Sequence, residues 1–428
     1  PRPMRLRLWR WKACPLTAQV DIAIIGAGAA GLMAAIWAGR SAPQRKVVVL
    51  EGAATLGAKI LISGGGRCNV THHKVEATDF AGSSRNAIAK VLRHFEVPAT
   101  IAFFRELGVE LKQEITGKLF PVTDSARTVL EALREAALQA GVEIMQPWRV
   151  ETVRKEEQHF LIDGGAHAQI RAQQIILATG GKSLPKTGSD GQGYTLAQAL
   201  GHTLTPRIFP ALVPLVLPDT HFIRALSGLT LPTTLEVRAS TGKKLAALTD
   251  STLCTHTGLS GPAVLDISRY YTEAKLDDGN TSLLINWWPG QTTDALDAAL
   301  QSLRQTSLLT FLRGHLPERL LRALCLQVGV EASTTGDQLP REQRRALAWA
   351  ITQMALPVIG DRGYNHAEVT AGGVPLRELQ LNTMASRCCP GLFLCGEICD
   401  VDGRIGGFNF QWAWASGYTA GVAAGRAE

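Results

Sequence analysis

Glycines at positions 26, 28 and 31 follow directly on the apolar run at residues 20–25, and no other feature narrows the possible fold of this chain as much. The spacing G-x-G-x-x-G predicts a strand, a tight turn and a helix. Gly26 permits the turn, Gly28 lets a pyrophosphate approach the backbone, and Gly31 lets helix and strand pack closely. A second apolar run at 46–50 stops at Glu51, where a carboxylate can accept hydrogen bonds from an adenosine ribose. Residues 29–40 between the runs are small and apolar at helical spacing, so 20–51 reads as a βαβ unit. Ala29 and Ala30 open its helix, whose free N–H groups and positive dipole end suit a phosphate. A lone G-x-G-x-x-G would leave a merely structural turn open; strand, helix and terminal acid in register favour dinucleotide binding.

The chain has 428 residues, 46% hydrophobic and 19% charged, which excludes disorder, coiled coil and collagen and leaves an α/β protein of two or three domains. Residues 20–39 are apolar, but Asp21 and the glycines argue against a membrane span. The net charge of +7 is concentrated at one end: Arg2, Arg5, Arg7, Arg10 and Lys12 carry five of the 44 bases, leaving 39 against 37 acids beyond them. No apolar stretch of the secretory kind follows this basic tail (1–19), so the expected location is cytoplasmic, with the eight cysteines as reduced thiols.

Residues 85–107 and 124–140 read as amphipathic helices, the second with Thr123, Asp124 and Ser125 as candidate caps and Gly141 closing it. Residues 174–178 form a buried strand. From 205 to 290 short β-branched runs, including 233–239 and 281–287, alternate with turn residues. Helical patterns return with Thr293 as a cap for a helix to about 312, then at 318–328 and 341–354. The expected organisation is a tail (1–19), a dinucleotide domain (20–195 and 376–428), a β-rich domain (196–292 and 355–375) and a helical insert (293–354).

Two further segments point to FAD rather than NAD as the resident group. Residues 176–181 (I-L-A-T-G-G) look like the mid-chain strand and glycine return of FAD enzymes, with Ala178, Thr179, Gly180 and Gly181 at the cofactor. Residues 391–409 look like their C-terminal flavin segment: Gly396 and Glu397 end a strand, Asp402 is placed to bind the ribityl or pyrophosphate region, and Gly406, Gly407, Phe408 and Asn409 lead into a helix. Such a helix aims its positive end at the flavin pyrimidine ring. No second G-x-G-x-x-G follows, so NAD(P)H is expected only as a transient reductant without a domain of its own.

Residues 58–71 (A-K-I-L-I-S-G-G-G-R-C-N-V-T), 257–266 (T-G-L-S-G-P-A-V-L-D), 370–374 (T-A-G-G-V) and 406–415 (G-G-F-N-F-Q-W-A-W-A) together resemble the YhiN/BaiN-type bacterial flavoproteins, nearly throughout the chain after Val20. The resemblance implies a glutathione-reductase-type FAD-binding domain, an inserted β-barrel-like domain and a helical insert. It also implies that Gly52, Lys59, Gly66, Arg67 and Asn69 lie near the FAD. Its BaiN-type members are associated with reducing C=C bonds conjugated to a carbonyl in bile-acid intermediates, its YhiN-type members with dihydrouridine formation in large-subunit ribosomal RNA. The expected function is therefore an FAD-dependent oxidoreductase acting as an ene-reductase on a small enone-like molecule. The alternatives are dihydrouridine formation in ribosomal RNA, with the Trp9- and Trp11-containing basic tail as some support, and a non-enzymatic flavin-bound RNA-binding or redox-sensing scaffold.

Hydride addition to an enone needs a contact on the carbonyl oxygen and a proton for the second carbon. Cys68 and Arg67 are the candidate catalytic pair, because a thiol beside a cation has a lowered pKa; the competing reading is that Arg67 and Asn69 only hold the loop or the cofactor. His256 and Arg404 are candidates to face a carbonyl or phosphate, and residues 187–193 are a candidate anion-binding turn, each against an ordinary loop role. Cys388, Cys389, Cys395 and Cys399 do not have zinc-ribbon spacing, so no metal is expected. The tryptophan pairs at 287–288 and 412 with 414 read as core or cofactor-edge packing. The sequence leaves the oligomeric state open.

Overall fold

The computed structural model describes residues 18–427; the basic and tryptophan side chains of the tail lie outside them. The strand β1 (Ala18–Ile25), the helix α1 (Ala29–Ser41) and the strand β2 (Val47–Leu50) form the βαβ unit that the glycine spacing predicts. β1 pairs in parallel with β2 and with strand Ile170–Leu177, which pairs in parallel with Leu392–Leu394. Glu143–Met145 extends the sheet beyond β2. β2 is buried on both faces, which explains its unbroken apolar sequence.

The helix Phe408–Arg426 lies along α1. A Cβ on Gly417 would meet the carbonyl oxygen of Ala30 at 2.5 Å, one on Gly421 that of Ala34 at 2.3 Å, and one on Gly425 that of Ala38 at 3.0 Å. Glycines four apart thus let the two backbones touch along a ridge of alanines, and the matched order makes the helices parallel. Both N-termini consequently face the same edge of the sheet.

The chain leaves this layer through Phe209–Ala211 and returns through Val369–Ala371, which pair with each other antiparallel. Between them lies an antiparallel sheet of seven strands, centred on Thr230–Arg238 and Lys244–Thr255. The sheet shares one apolar core with helices Pro262–Asp277, Thr293–Gln301, Glu318–Gln327 and Arg341–Thr352.

Local differences from the sequence reading have plain causes. The expected helix 85–107 is two, Arg85–Leu92 and Val97–Glu106, because Pro98 fits only the first turn of a helix. Thr292, not Thr293, caps its helix through Ala295 N–H at 3.2 Å, and that helix stops at Gln301, with Ser307 capping a separate turn. Ser125 precedes its helix without a side-chain cap, while Asp124 pairs with Lys112 and Arg67. The 16-residue helix Pro262–Asp277 interrupts the region read as β, with Pro262 in its first turn. Among the described residues no helix is long and apolar enough to cross a membrane.

Candidate active site

Four strand ends stand level, since Ile25 is in register with Leu50 and Leu177, and Leu177 with Leu394. The residues just beyond the first three, Gly26, Glu51 and Ala178, and Gly396 two residues beyond Leu394, line one cleft of about 390 Å³. Gly26 has φ +101°, and a Cβ there would lie 2.6 Å from the Ala178 carbonyl oxygen. Gly31 is a packing residue outside the cleft lining: its Cβ would fall 1.9 Å from the Gly26 carbonyl oxygen. A Cβ on Gly28 would meet nothing within 4 Å, so that backbone faces open cleft beside Ala29 and Ala30. The Glu51 carboxylate accepts hydrogen bonds from Ala27 N–H at 2.6 Å and Ala53 N–H at 2.7 Å, which fixes it at the cleft wall beside Gly52.

The cleft has the donors and space that a dinucleotide requires. Asn69 Oδ1, Thr179 Oγ1 and Ser189 Oγ are buried without a hydrogen-bond partner, and all three residues line it with Gly180. Buried polar atoms normally find partners, so these orphans point to a polar ligand. The N-termini of α1 and of helix Phe408–Arg426 supply positive dipole ends. The anion-binding turn expected at 187–193 also reaches the cleft, through Thr187, Gly188, Ser189, Asp190, Gln192 and Gly193.

In the C-terminal segment Glu397, Gly406, Gly407 and Asn409 line the cleft. Gly407 has φ +99°, and a Cβ there would come within 2.5 Å of the Thr71 backbone. Asp402 departs from expectation. Val401 lines the cleft, and strand alternation turns Asp402 to the opposite face, where its carboxylate meets Arg269 at 2.8 Å with 3% of its side chain exposed. Burial pushes its pKa up while Arg269 pulls it down. It therefore ties the flavin layer to helix Pro262–Asp277 instead of facing a ribityl chain. Phe408 stacks over His72 at 4.9 Å between centroids, away from the lining. Gly181 packs against Thr370, whose Oγ1 would lie 2.5 Å from an added Cβ, and Gly66 also lies outside the lining, at φ +85°.

Arg67 and Cys68 are adjacent but face different surroundings. Arg67 lines the cleft, its guanidinium 4.0 Å from the Phe120 ring centroid and 2.7 Å from the Glu114 carboxylate. Cys68 has φ +60° and is fully buried outside the lining, and burial pushes its thiol up to about 12. The lowered thiol pKa expected from the sequence is therefore wrong: the neighbouring cation is directed at Glu114 and Phe120, and the thiol meets a dry interior.

Lys59 and Glu397 form an ion pair of 2.6 Å in the cleft. The Ser183 hydroxyl donates to Glu397 at 2.9 Å, and so does Thr370 N–H at 3.0 Å. Ser183 and Glu368 escaped the sequence reading, although Glu368 stands two residues before the quoted T-A-G-G-V string. Lys118 and Phe120, which like Glu368 line the cleft, carried no motif at all. Arg404 lines the cleft with its Nε 3.2 Å from Asp266, whereas His256 is exposed elsewhere. Trp412 donates to the Gly396 carbonyl at 3.0 Å and Trp414 to that of Val70 at 2.8 Å. Cys389, Cys395 and Cys399 are buried; Cys388 lies near His202 and Glu378. Both nitrogens of that histidine are already engaged, by Glu378 at 2.8 Å and Ser386 at 2.8 Å.

A family model described as the HI0933-like protein Rossmann domain matches residues 20–423. The chain belongs to the HI0933-like family. It is 35% identical over 408 residues to a 3-dehydro-bile acid delta(4,6)-reductase of Clostridium scindens, covering 94% of this chain and 98% of that protein. It is 33% identical over 401 residues to a ribosomal RNA dihydrouridine synthase of Escherichia coli, covering 93% and 96%. Among solved structures, a 3-ketosteroid delta1-dehydrogenase from Sterolibacterium denitrificans aligns with a TM-score of 0.52 at 12% identity, over 96% of this chain and all of that one. The E. coli quinol fumarate reductase FrdA aligns at 0.51 and 17%, over 96% and 70%. These structural likenesses show a shared fold. This HI0933-like protein is an FAD-dependent oxidoreductase with a Rossmann-type cofactor domain.

Proposed function

We propose that this protein reduces a carbon–carbon double bond conjugated to a carbonyl in a small molecule. The observation that carries the reading is the 35% identity, across nearly the whole of both chains, to a protein described as a bile-acid reductase. Bound FAD, once reduced, supplies hydride for such chemistry. The residues of this chain do the rest. Gly28 and the N-terminus of α1 hold the diphosphate, the N-terminus of helix Phe408–Arg426 faces the flavin pyrimidine ring, Glu51 holds the adenosine ribose, and Asn69 and Thr179 offer unpartnered polar atoms to the cofactor. Phe120, Leu212 and Ile405 give the wall apolar surface that excludes water, and Arg67, Lys118 and Arg404 bring positive charge suited to polarising a carbonyl oxygen.

The test uses holoenzyme reduced anaerobically with dithionite and mixed with a conjugated steroid-type enone. Return of the oxidised flavin spectrum and a product two hydrogens heavier are expected. Reduced flavin that reoxidises only with oxygen would sink the reading. A second substrate class is favoured by the two relatives described as ribosomal RNA dihydrouridine synthases, at 33% and 32% identity. Giving the same reduced enzyme large-subunit ribosomal RNA, and reading dihydrouridine by mass spectrometry, decides between them. NAD(P)H is the transient reductant in either case, and faster flavin bleaching with one nicotinamide than with none identifies it.

A further inference from the structure

Five acids line the cleft among the described residues, and four of them are engaged. Glu51 holds two backbone N–H groups, Glu114 pairs with Arg67, Asp190 pairs with Arg149 at 2.6 Å, and Glu397 pairs with Lys59. The fifth, Glu368, receives no hydrogen bond on its carboxyl. Its backbone is nevertheless fixed: its N–H donates to the Leu212 carbonyl at 3.1 Å. The next residues, Val369–Ala371, are paired to Phe209–Ala211. A carboxyl carried on a fixed stretch of backbone, serving no structural bond and opening on the cleft, is available for proton chemistry.

We infer that Glu368 is the proton donor for the reduction carried out in this cleft. The inference rests on the proposed enone reading. Hydride from the reduced cofactor forms the new C–H bond at one carbon of the double bond, the Glu368 O–H breaks to protonate the other, and the carboxylate left behind regains a proton from water. The substrate gains two electrons and two hydrogens, and the flavin is left oxidised. The Glu368 side chain is exposed on the cleft, and loss of water on its protein side raises its pKa above the ordinary glutamate value, with Lys59 lowering it and the Glu397 carboxylate raising it again. Cys68, the thiol expected in this role, lies outside the lining.

The test compares wild-type holoenzyme with Glu368→Gln and Glu368→Asp. Reoxidation of reduced enzyme by an enone should slow by about 100-fold or more in Glu368→Gln, with partial recovery in Glu368→Asp and unchanged FAD content. The wild-type rate should fall as pH rises through the Glu368 ionisation, and the residual rate of Glu368→Gln should be flat there. Independently of turnover, the visible spectrum of the oxidised bound flavin should titrate above the ordinary glutamate range in wild type and not in Glu368→Gln. A Glu368→Gln enzyme with wild-type rate and pH profile, or one that keeps the spectral titration, overturns the inference. If wild type itself is not reoxidised by any enone, the proposed function falls, and the spectral titration still decides whether Glu368 holds the cleft proton.

Discussion

The turn at residues 26–31 and the loop at 63–69 both bring a string of glycines to the cleft, yet they are built in opposite ways. In the turn, two of the three glycines answer to backbone atoms of the sheet and helix around them, Gly26 to Ala178 and Gly31 to Gly26 itself, while Gly28 faces the open cleft. In the loop, Gly64, Gly65, Gly66 and Cys68 all have positive φ, between 57° and 85°. The flanking side chains there are directed by Glu114 and Phe120, from a hairpin some fifty residues further along. The turn is a local solution to one packing problem. The loop takes its meaning from partners distant in sequence, so neighbours such as Arg67 and Cys68 end in opposite environments.

Four substitutions probe that contrast, taken from the largest effect down. Gly31→Ala drives a methyl into the Gly26 carbonyl and should cost about 3 kcal/mol of stability or prevent folding, read by urea unfolding. Gly28→Ala meets no protein atom and should leave the unfolding midpoint unchanged, while weakening FAD by roughly 30-fold, about 2 kcal/mol, in an equilibrium titration. If both variants lost stability equally, the division of labour within the turn would be wrong.

In the loop, Cys68→Ala should cost about 1–2 kcal/mol through the lost burial, with FAD still bound. The raised thiol pKa also gives a pH signature. The folded state keeps its proton up to about pH 12 while an unfolded thiol ionises near 9, so the contribution of Cys68 is complete below pH 9 and is lost as pH rises towards 12. Native enzyme at pH 8 should therefore resist alkylation at Cys68 by iodoacetamide, as read by mass spectrometry of peptides; rapid labelling would restore a reactive thiol to the loop. Arg67→Lys keeps the charge but loses the planar stack on Phe120, and should change stability by about 1 kcal/mol or less because the guanidinium is partly exposed. A much larger loss would show that the loop is as tightly determined as the turn.

The βαβ unit, the acid that ends its second strand and the glycines at the start of the C-terminal helix were legible because their signals are demands of the backbone itself. A level crest of strand ends needs a φ that only glycine adopts easily, or an approach that no side chain permits, and such demands are written at fixed spacing. The ridge at Gly417, Gly421 and Gly425 came only with the structure, which shows its fit on Ala30, Ala34 and Ala38. Asp402, Cys68 and Glu368 were not legible. Asp402 sits in a flavin segment but belongs to Arg269, 133 residues away, and Glu368 reaches the cleft because its strand is paired with Phe209–Ala211.

Local chain geometry, then, was enough to specify a dinucleotide fold and its glycine turn, and the resemblance of longer strings such as 58–71 pointed to the family. Which acid lines the cleft and which thiol is buried away from it was decided by the docking of distant segments against the first sheet. The physical reason is one of range. Backbone conformation is constrained within a few residues, whereas the direction, burial and ionisation of a side chain depend on the atoms that close over it, and those come from segments far apart in the chain.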